Sequence, residues 1–582
     1  MFRESQVSNQ FSLNSSFFWM KDEYRQLLAD GWAGCFRKNI TEKIDEIPYA
    51  VLYSNVPSRP NAPVRVVIGM MLIESLFQMS ETEVRLGTIF DMQIQYALGI
   101  ENTENIDISE RTLQRFRRAC ITYEAETGKD LLHDTIVSLA KNSAELMNID
   151  GTKFRMDSLM IESNIYIMSR TEILFQVTQN LIFAIAGVSK KSTMAFIKKI
   201  QAAEKQAMDG QQSFVAEQEL QKESPAVIKA RDAGLPESLL HFLDPYDGNV
   251  ILYHSKKSSA EKRDKILADV KDLMAFCEGS AYKDLKEYTL FSRAVEEQCK
   301  KSYDHDENGH LFFTYVLRGK GEGMNSSILQ NPSDPDATIR NKEGYHRGYV
   351  GNVLEATGEN GSIVYDYDYD VNTTSDNELG ARTLERLGMQ KPDKEVTVTV
   401  DAAFSGDKID NIAEDNNIDL IHTNLTGNPT NPCHSEHVIK EDDSGIEKCA
   451  GGQIPIETHV GKDGAYSAKM NLETCKACPY YEECHPRKNK KTAVLHLTRK
   501  QILRALEAKS RGTISFAAES RYRNGVETIP SILRRRYRVD EMPVRGLKRT
   551  RFRFGLDIGG LNFMKLWRFM KQGVSAPKIA EC

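Results

Sequence analysis

The sequence predicts an α/β core, a mixed sheet with flanking helices, joined to an all-α N-terminal region, a helical insertion and a small cysteine-rich lobe. Three observations predict this. Strict β-branched alternation in Val396–Val400 runs into Asp401 and then into small residues and a turn, which reads as strand, carboxylate, loop. Helical periodicity fills the stretch before residue 147 and returns after residue 188. Four of the ten cysteines fall between Cys449 and Cys484.

With 582 residues the chain exceeds one comfortable core, so two to four domains are expected; 40% hydrophobic and 27% charged residues are ordinary globular composition and exclude a disordered chain. The start, MFRESQVSNQ, is polar without an apolar segment, and the longest apolar stretch, Leu181–Val188, is too short to span a bilayer. A cytoplasmic location is the expectation. The net charge of -6 excludes a uniformly basic nucleic-acid binder, but charge is segregated: residues 501–570 hold 16 Lys and Arg against 6 Asp and Glu, a local +10.

Taken in order, 1–60 is an N-terminal segment with a short helix at DEYRQLLADGW. Pro57, Pro60 and Pro63 then open a helical domain over 61–147, with Ser80 capping ETEVRLGTIF and Ser109 capping SERTLQRFRRAC. Arg111, Gln114, Arg115 and Arg118 project from one broad face of that last helix, the arrangement of a helix-turn-helix element that contacts DNA bases or phosphates. Residues 148–188 begin the core, 189–310 form the helical insertion, and 311–427 carry the remaining core strands. Within these, Tyr345–Glu355 and Ser362–Asp370 form a hairpin around GENG, Ser375–Met389 is a helix, and Ile418–Asn424 follows as a strand. The DYDYD run lacks the glycine and the closing glutamate of a calcium loop, and suits a strand with two unlike faces. Asp334 and Asp336 around Pro335 read as a turn.

Three acids stand out. Asp157 sits at the end of a short strand in NIDGTKFRMDSLMIESNI, Asp401 at the end of its strand, and Glu527 between arginines on a helix in RYRNGVETIPSILRRRYR. Two strand-end aspartates and a late glutamate are what a two-metal phosphoryl-transfer site requires, because hard divalent cations take oxygen ligands and a pair of them serves both attacking and leaving oxygens. At neutral pH all three are expected to be ionised, with no unusual pKa.

The 428–496 lobe carries Cys449, 25 residues, Cys475, two residues, Cys478, five residues, Cys484. Thiolates suit tetrahedral zinc, so these four form the candidate Zn2+ set, with Cys433, His434, His437, His459 and His485 as competing ligands. Residues 497–570 hold the Glu527 helix and the basic region, where Arg523, Arg534, Arg535 and Arg536 are candidate phosphate contacts. RGLKRTRFRFGL could lie along a DNA backbone with its phenylalanines buried, Asn562–Phe569 closes as an amphipathic helix, and 571–582 is a tail.

The chain resembles the DDE transposases of bacterial insertion sequences, in the branch with a helical N-terminal domain, a ribonuclease H-like core and a cysteine-rich segment before the catalytic glutamate. The resemblance is carried by MDSLMIESNI, SDPDATIRNKEGYHRGYVGN, VTVDAAFSGD, CKACPYYEEC, RNGVETIPSILRR, RGLKRTRFRFGL and LNFMKLWRF, in the family's order along nearly the whole chain. It implies that Asp157, Asp401 and Glu527 hold Mg2+ or Mn2+, that water is activated to nick the element's ends, and that the freed 3' hydroxyl then attacks target DNA. It implies double-stranded DNA, both terminal repeats and target, as partner, and a homo-oligomer on that DNA. In the family's glutamate signature Arg523 and Glu527 match, Ser520 stands at the Tyr position and Arg534 at the Lys position, which keeps a phosphate-binding cation. A domesticated DNA-binding regulator, or a nuclease without strand transfer, are the alternative classes.

Overall fold

The computed structural model describes residues 2–5, 15, 17–54, 56, 60–100, 108–208, 223–243, 258–319, 321–342, 344–390, 395–423, 431–461, 464–510 and 514–574. Its central sheet is built on β1 (Lys153–Glu162). A hairpin, β2 (Cys299–His305) and β3 (Leu311–Leu317), stands apart, and β4 (Thr338–Asn341), β5 (Tyr345–Gly358), β6 (Gly361–Val371), β7 (Val396–Asp401) and β8 (Ile418–Thr423) complete the main sheet. β5 lies antiparallel to β1 and carries β6, and briefly β4, on its other edge. β7 runs parallel to β1, and β8 parallel to β7. Antiparallel pairing of β5 with β1, β4 and β6, and parallel pairing of β1 with β7 and of β7 with β8, make a six-stranded mixed sheet of the expected class.

Alternation along β1 sends its side chains to two helical layers. Met156 faces the helix Asp376–Gln390, where Gly380 leaves room for it, whereas Leu159 and Ile161 meet Phe554 of the helix Leu547–Val574. That last helix is longer than the sequence pattern over 562–569 indicated, and every residue from Phe552 to Phe563 is buried. A helix covered on all sides belongs inside a protein, and its buried polar residues Arg553, Asp557 and Asn562 are paired there. Its covering on the far side is the N-terminal helix Val64–Phe77, itself buried from Val66 to Leu76. Gly559 allows this approach, since a Cβ there would meet Leu72 and Ile136. The N-terminal helices and the core therefore share one hydrophobic cluster instead of forming two.

The basic run in the first turns of that helix also differs from expectation. Arg551 pairs with Glu124 at 2.8 Å and Arg553 with Glu74 at 3.0 Å and Asp557 at 3.1 Å, so these arginines serve internal ion pairs and not a DNA face. Asp557 also accepts from Ser75 Oγ at 2.6 Å, and burial pushes its carboxyl up to about 6. Asp334 and Asp336 do more than turn the chain. They accept the N–H groups of Gly546 and Leu547 at 3.0 and 2.9 Å, capping the buried helix at the end where orphan amides and the helix dipole favour anions. In DYDYD, Asp366 and Asp368 pair with Arg386, and Arg382 with Asp368 and Asp370.

The insertion has its own core around Phe242, Leu273 and Phe291, and the helix Arg170–Ile185, expected in the first part of the main core, packs into it through Leu181. Its end departs from the helical expectation at residue 299, where β2 starts and pairs with β3. No single helix among the described residues is long and apolar enough to cross a membrane. The cysteine-rich lobe is a small β unit: β9 (Val438–Ile439) with β10 (Ile446–Lys448), and β11 (Glu457–Val460), β12 (Tyr466–Asn471), β13 (Arg487–Lys488) and β14 (Thr492–Leu497) in the order β11-β12-β14-β13. The tail from 575 lies outside the described residues.

Candidate active site and cysteine lobe

The register of the parallel pair brings the two aspartates together. Arg155 lies beside Thr399, so two residues further along Asp157 stands level with Asp401; Asp401 ends its strand as expected, but Asp157 does not, since β1 continues to Glu162 against β5 and Asp157 lies mid-strand, just past its pairing with β7. Ser158 N–H donates to Asp157 Oδ1 and Ala403 N–H to Asp401 Oδ1, both at 2.9 Å, which orients each carboxylate. Glu527 arrives from a different element. The expected continuous helix is broken: Ile514–Asn524 ends, Gly525–Glu527 forms one 3-10 turn, and Thr528–Arg535 continues.

The three acids meet on one cation. Arg523 places its guanidinium 3.1 Å from Asp157, 3.6 Å from Asp401 and 2.8 Å from Glu527. Its side chain is 8% exposed, against 9%, 27% and 56% for the three acids in the same order. Asp157 is the deepest, and it departs from the expectation of an ordinary pKa. Burial pushes its carboxyl up to about 7, Arg523 opposes this, and the charges of Glu527 and Asp401 add to it. Three carboxylates converging on a buried positive charge form a hard-oxygen donor set, so the residues present fit divalent cations of the Mg2+ class.

The support beneath the site escaped the sequence reading. Arg155, two residues before Asp157 on the same face, donates to Glu355 at 2.6 Å and to the Tyr522 carbonyl at 2.8 Å, and Lys565 also donates to Glu355 at 2.6 Å. Arg155 passes so close to Gly525 that a Cβ at this position would collide with its guanidinium. A side chain at the break would have to displace this charged neighbour. Tyr522 turns away from the acids: its hydroxyl is 2.7 Å from Thr357 Oγ1, and Lys153 lies over its ring at 4.3 Å. Only the Arg at 155 gave any sequence signal, a charge at a position of β1 that alternation directs inward.

The predicted DNA contacts divide. Arg111, Arg115 and Arg118 are exposed on the helix Glu110–Thr127, but Gln114 is hydrogen-bonded to Glu81 at 2.7 Å. Ser80 closes a full capping box, whereas Ser109 occupies its cap position without accepting a helix N–H, its hydroxyl lying 3.1 Å from Thr112 Oγ1 instead. Arg535 is exposed; Arg534 donates to the Met160 carbonyl at 2.8 Å, and Arg536 to that of Leu76 at 3.4 Å. Arg523, placed among the acids, is not free for a phosphate in this state.

In the lobe, Cys449, Cys475, Cys478 and Cys484 line one small cavity of about 20 Å3. The tightest donor group is another: Cys433, His437 and Cys484 have ligand atoms all within 4.8 Å of one another. The sequence-based set therefore shares one member with it and had named the other two as competitors.

Residues 449–567 match a family model described as a transposase DDE domain. No curated protein and no solved structure gives a match. The matched segment contains Arg523, Glu527 and the four cysteines of the sequence-based set, and it supports a DDE transposase family and a transposase-type enzyme acting on DNA.

Proposed function

We propose that the chain is a transposase that cleaves the ends of its own insertion sequence and joins them to target DNA, with Asp157, Asp401 and Glu527 as its catalytic carboxylates. The observation that carries this is the meeting of the three acids on Arg523, beside the parallel pair β1 and β7. Divalent cations held by these carboxylates, Mg2+ or Mn2+, would supply Lewis-acid activation of the attacking oxygen and stabilisation of the leaving one. Asp157 and Asp401, fixed by backbone N–H groups, set the position of the reacting phosphate. Arg523, once released from the carboxylates, lies where a phosphate approaching them would pass. Arg111, Arg115 and Arg118 offer a separate basic face to duplex DNA, and the lobe holds a structural zinc ion by the softness of its donors.

The test uses DNA flanking the gene as substrate, with Mg2+ or Mn2+, comparing wild type with Asp401→Asn for end cleavage and joining to a plasmid. Wild type is expected to cut and join, and the variant to lose both by about a thousandfold while still binding DNA. Wild type that binds the ends and never cuts would make a DNA-binding regulator the better account; cutting without joining would make it a nuclease.

A further inference from the structure

The lobe offers a metal two overlapping donor sets with Cys484 in common, and they differ in chemistry. Around the small cavity the donors are all sulfur, whereas the tight group is Cys433, His437 and Cys484. Cys433 is 1% exposed and His437 7% exposed. The Nε2 atom of His437 is buried with no hydrogen-bond partner, which is unfavourable unless something satisfies it. Two thiolates and an imidazole within reach of one point are a zinc donor set, lacking one ligand of four.

We propose that Cys433, His437 and Cys484 hold the lobe's Zn2+ ion, with the fourth position filled by a thiol from the adjoining cavity. The proposal rests on the reading of the lobe as zinc-bearing and changes its ligands: the shell contains an imidazole, and Cys433 enters it. His437 Nδ1 accepts the Ala450 N–H at 3.0 Å, so the metal-free ring carries its proton on Nε2. Metal entry at Nε2 moves that proton to Nδ1 and turns the Ala450 amide away. Gly451 and Gly452, the latter at φ 76°, give this short loop the freedom to do so.

The position of these ligands gives the ion a task that four cysteines of the cavity would not. Cys433 lies in the turn Pro432–Glu436, where the chain enters the lobe, and Cys484 ends the short helix Tyr481–Cys484 on its far side. Asn431 already reaches across to the Glu483 carbonyl, and Glu436 pairs with Lys509 at 2.9 Å on the helix Arg499–Ser510. A metal at this point staples the lobe's entrance to its last turn, beside the helix through which the chain returns toward Glu527.

Full-length protein purified under reducing conditions, assayed for metal and by zinc-edge X-ray absorption, tests this without altering the fold. The expected result is zinc in a mixed sulfur and imidazole shell. An all-sulfur shell overturns the ligand set while leaving the zinc lobe intact; wild type that binds no zinc tightly overturns both. Competition with a chromophoric chelator should show Cys433→Ser and His437→Gln losing affinity by about tenfold or more, and Cys299→Ser, outside the lobe, losing none. Unchanged affinity in the first two sinks the proposal. Because a lost ligand can unfold the lobe, His437→Cys serves as a fourth variant. It should retain zinc and convert the shell to sulfur alone, and an unaltered absorption spectrum would again count against it.

Discussion

The acid site and the cysteine lobe are both clusters of metal-ligating side chains, yet only one of them brings its own positive charge. Arg523 sits among three carboxylates and neutralises part of their mutual repulsion. In the lobe, thiols surround a small cavity and His437 Nε2 has no hydrogen-bond partner. Their construction differs as well. The acids arrive from β1, β7 and a turn between two helices, positioned by the whole fold, whereas the lobe's donors all fall within one local segment. A site with an internal counter-charge can be assembled before any metal binds. One without it relies on the metal to complete it.

The strongest way to break this contrast is to remove the internal cation. Arg523→Gln should lower the stability of the protein in chelator by roughly 3–5 kcal/mol, the usual cost of stripping one partner from a buried charge cluster, and Mn2+ should restore part of it. Denaturant unfolding with and without Mn2+ reads this, and a variant as stable as wild type in chelator would show that the carboxylates need no counter-charge. A smaller effect is expected from Gly525→Ala. Its new methyl must displace Arg155, at a cost of about 1–3 kcal/mol, and strand cleavage should fall with it because the turn carrying Glu527 moves. Matching stability and activity would mean that Arg155 simply swings aside.

The third prediction sharpens the comparison through pH. Folded Asp157 holds its proton up to about 7, while the ordinary carboxyl value is 3.8. The metal-free protein therefore binds more protons folded than unfolded between these values, and it loses that stabilisation as pH rises through about 7. Cation binding needs the ionised form, so Mn2+ affinity should move the opposite way, falling by up to about tenfold per pH unit below 7 and levelling off above it. Titrations at several pH values, with Asp157→Asn as control, decide it; a flat profile in wild type would remove Asp157 from the metal shell.

Much of this architecture was legible because local pattern and tertiary role coincide. Val396–Asp401 alternates as a strand must, and the GENG hairpin and the Ser80 cap follow from turn and cap chemistry. What stayed hidden depended on partners distant in sequence. Nothing in RFRFGL says that Arg553 will be claimed by Glu74, so a basic run passed for a DNA face. Nothing in RNGVE shows that Arg155 will occupy the space over Gly525, so the break before Glu527 passed for continuous helix. The strand Cys299–His305 was lost inside a charged helical region because its side chains lie almost entirely on the surface, where no apolar alternation marks it. The cysteine spacing pointed to the right segment, but spacing cannot rank thiols against a histidine that only the folded lobe brings into reach.

The buried helix Leu547–Val574 gives the molecule an order of completion. A chain emerging from the ribosome delivers Asp157 early and Asp401 much later, but the helix that underlies their sheet, and that gives Glu74 and Ser75 further partners, is made after both. Until Arg553 arrives, Glu74 has only Arg117 beside it, and the side of the helix Val64–Phe77 that packs on Leu547–Val574 has no cover. A prematurely terminated product would hold both aspartates and still lack a working centre. Synthesis of this helix is thus the step that completes the sheet's cover.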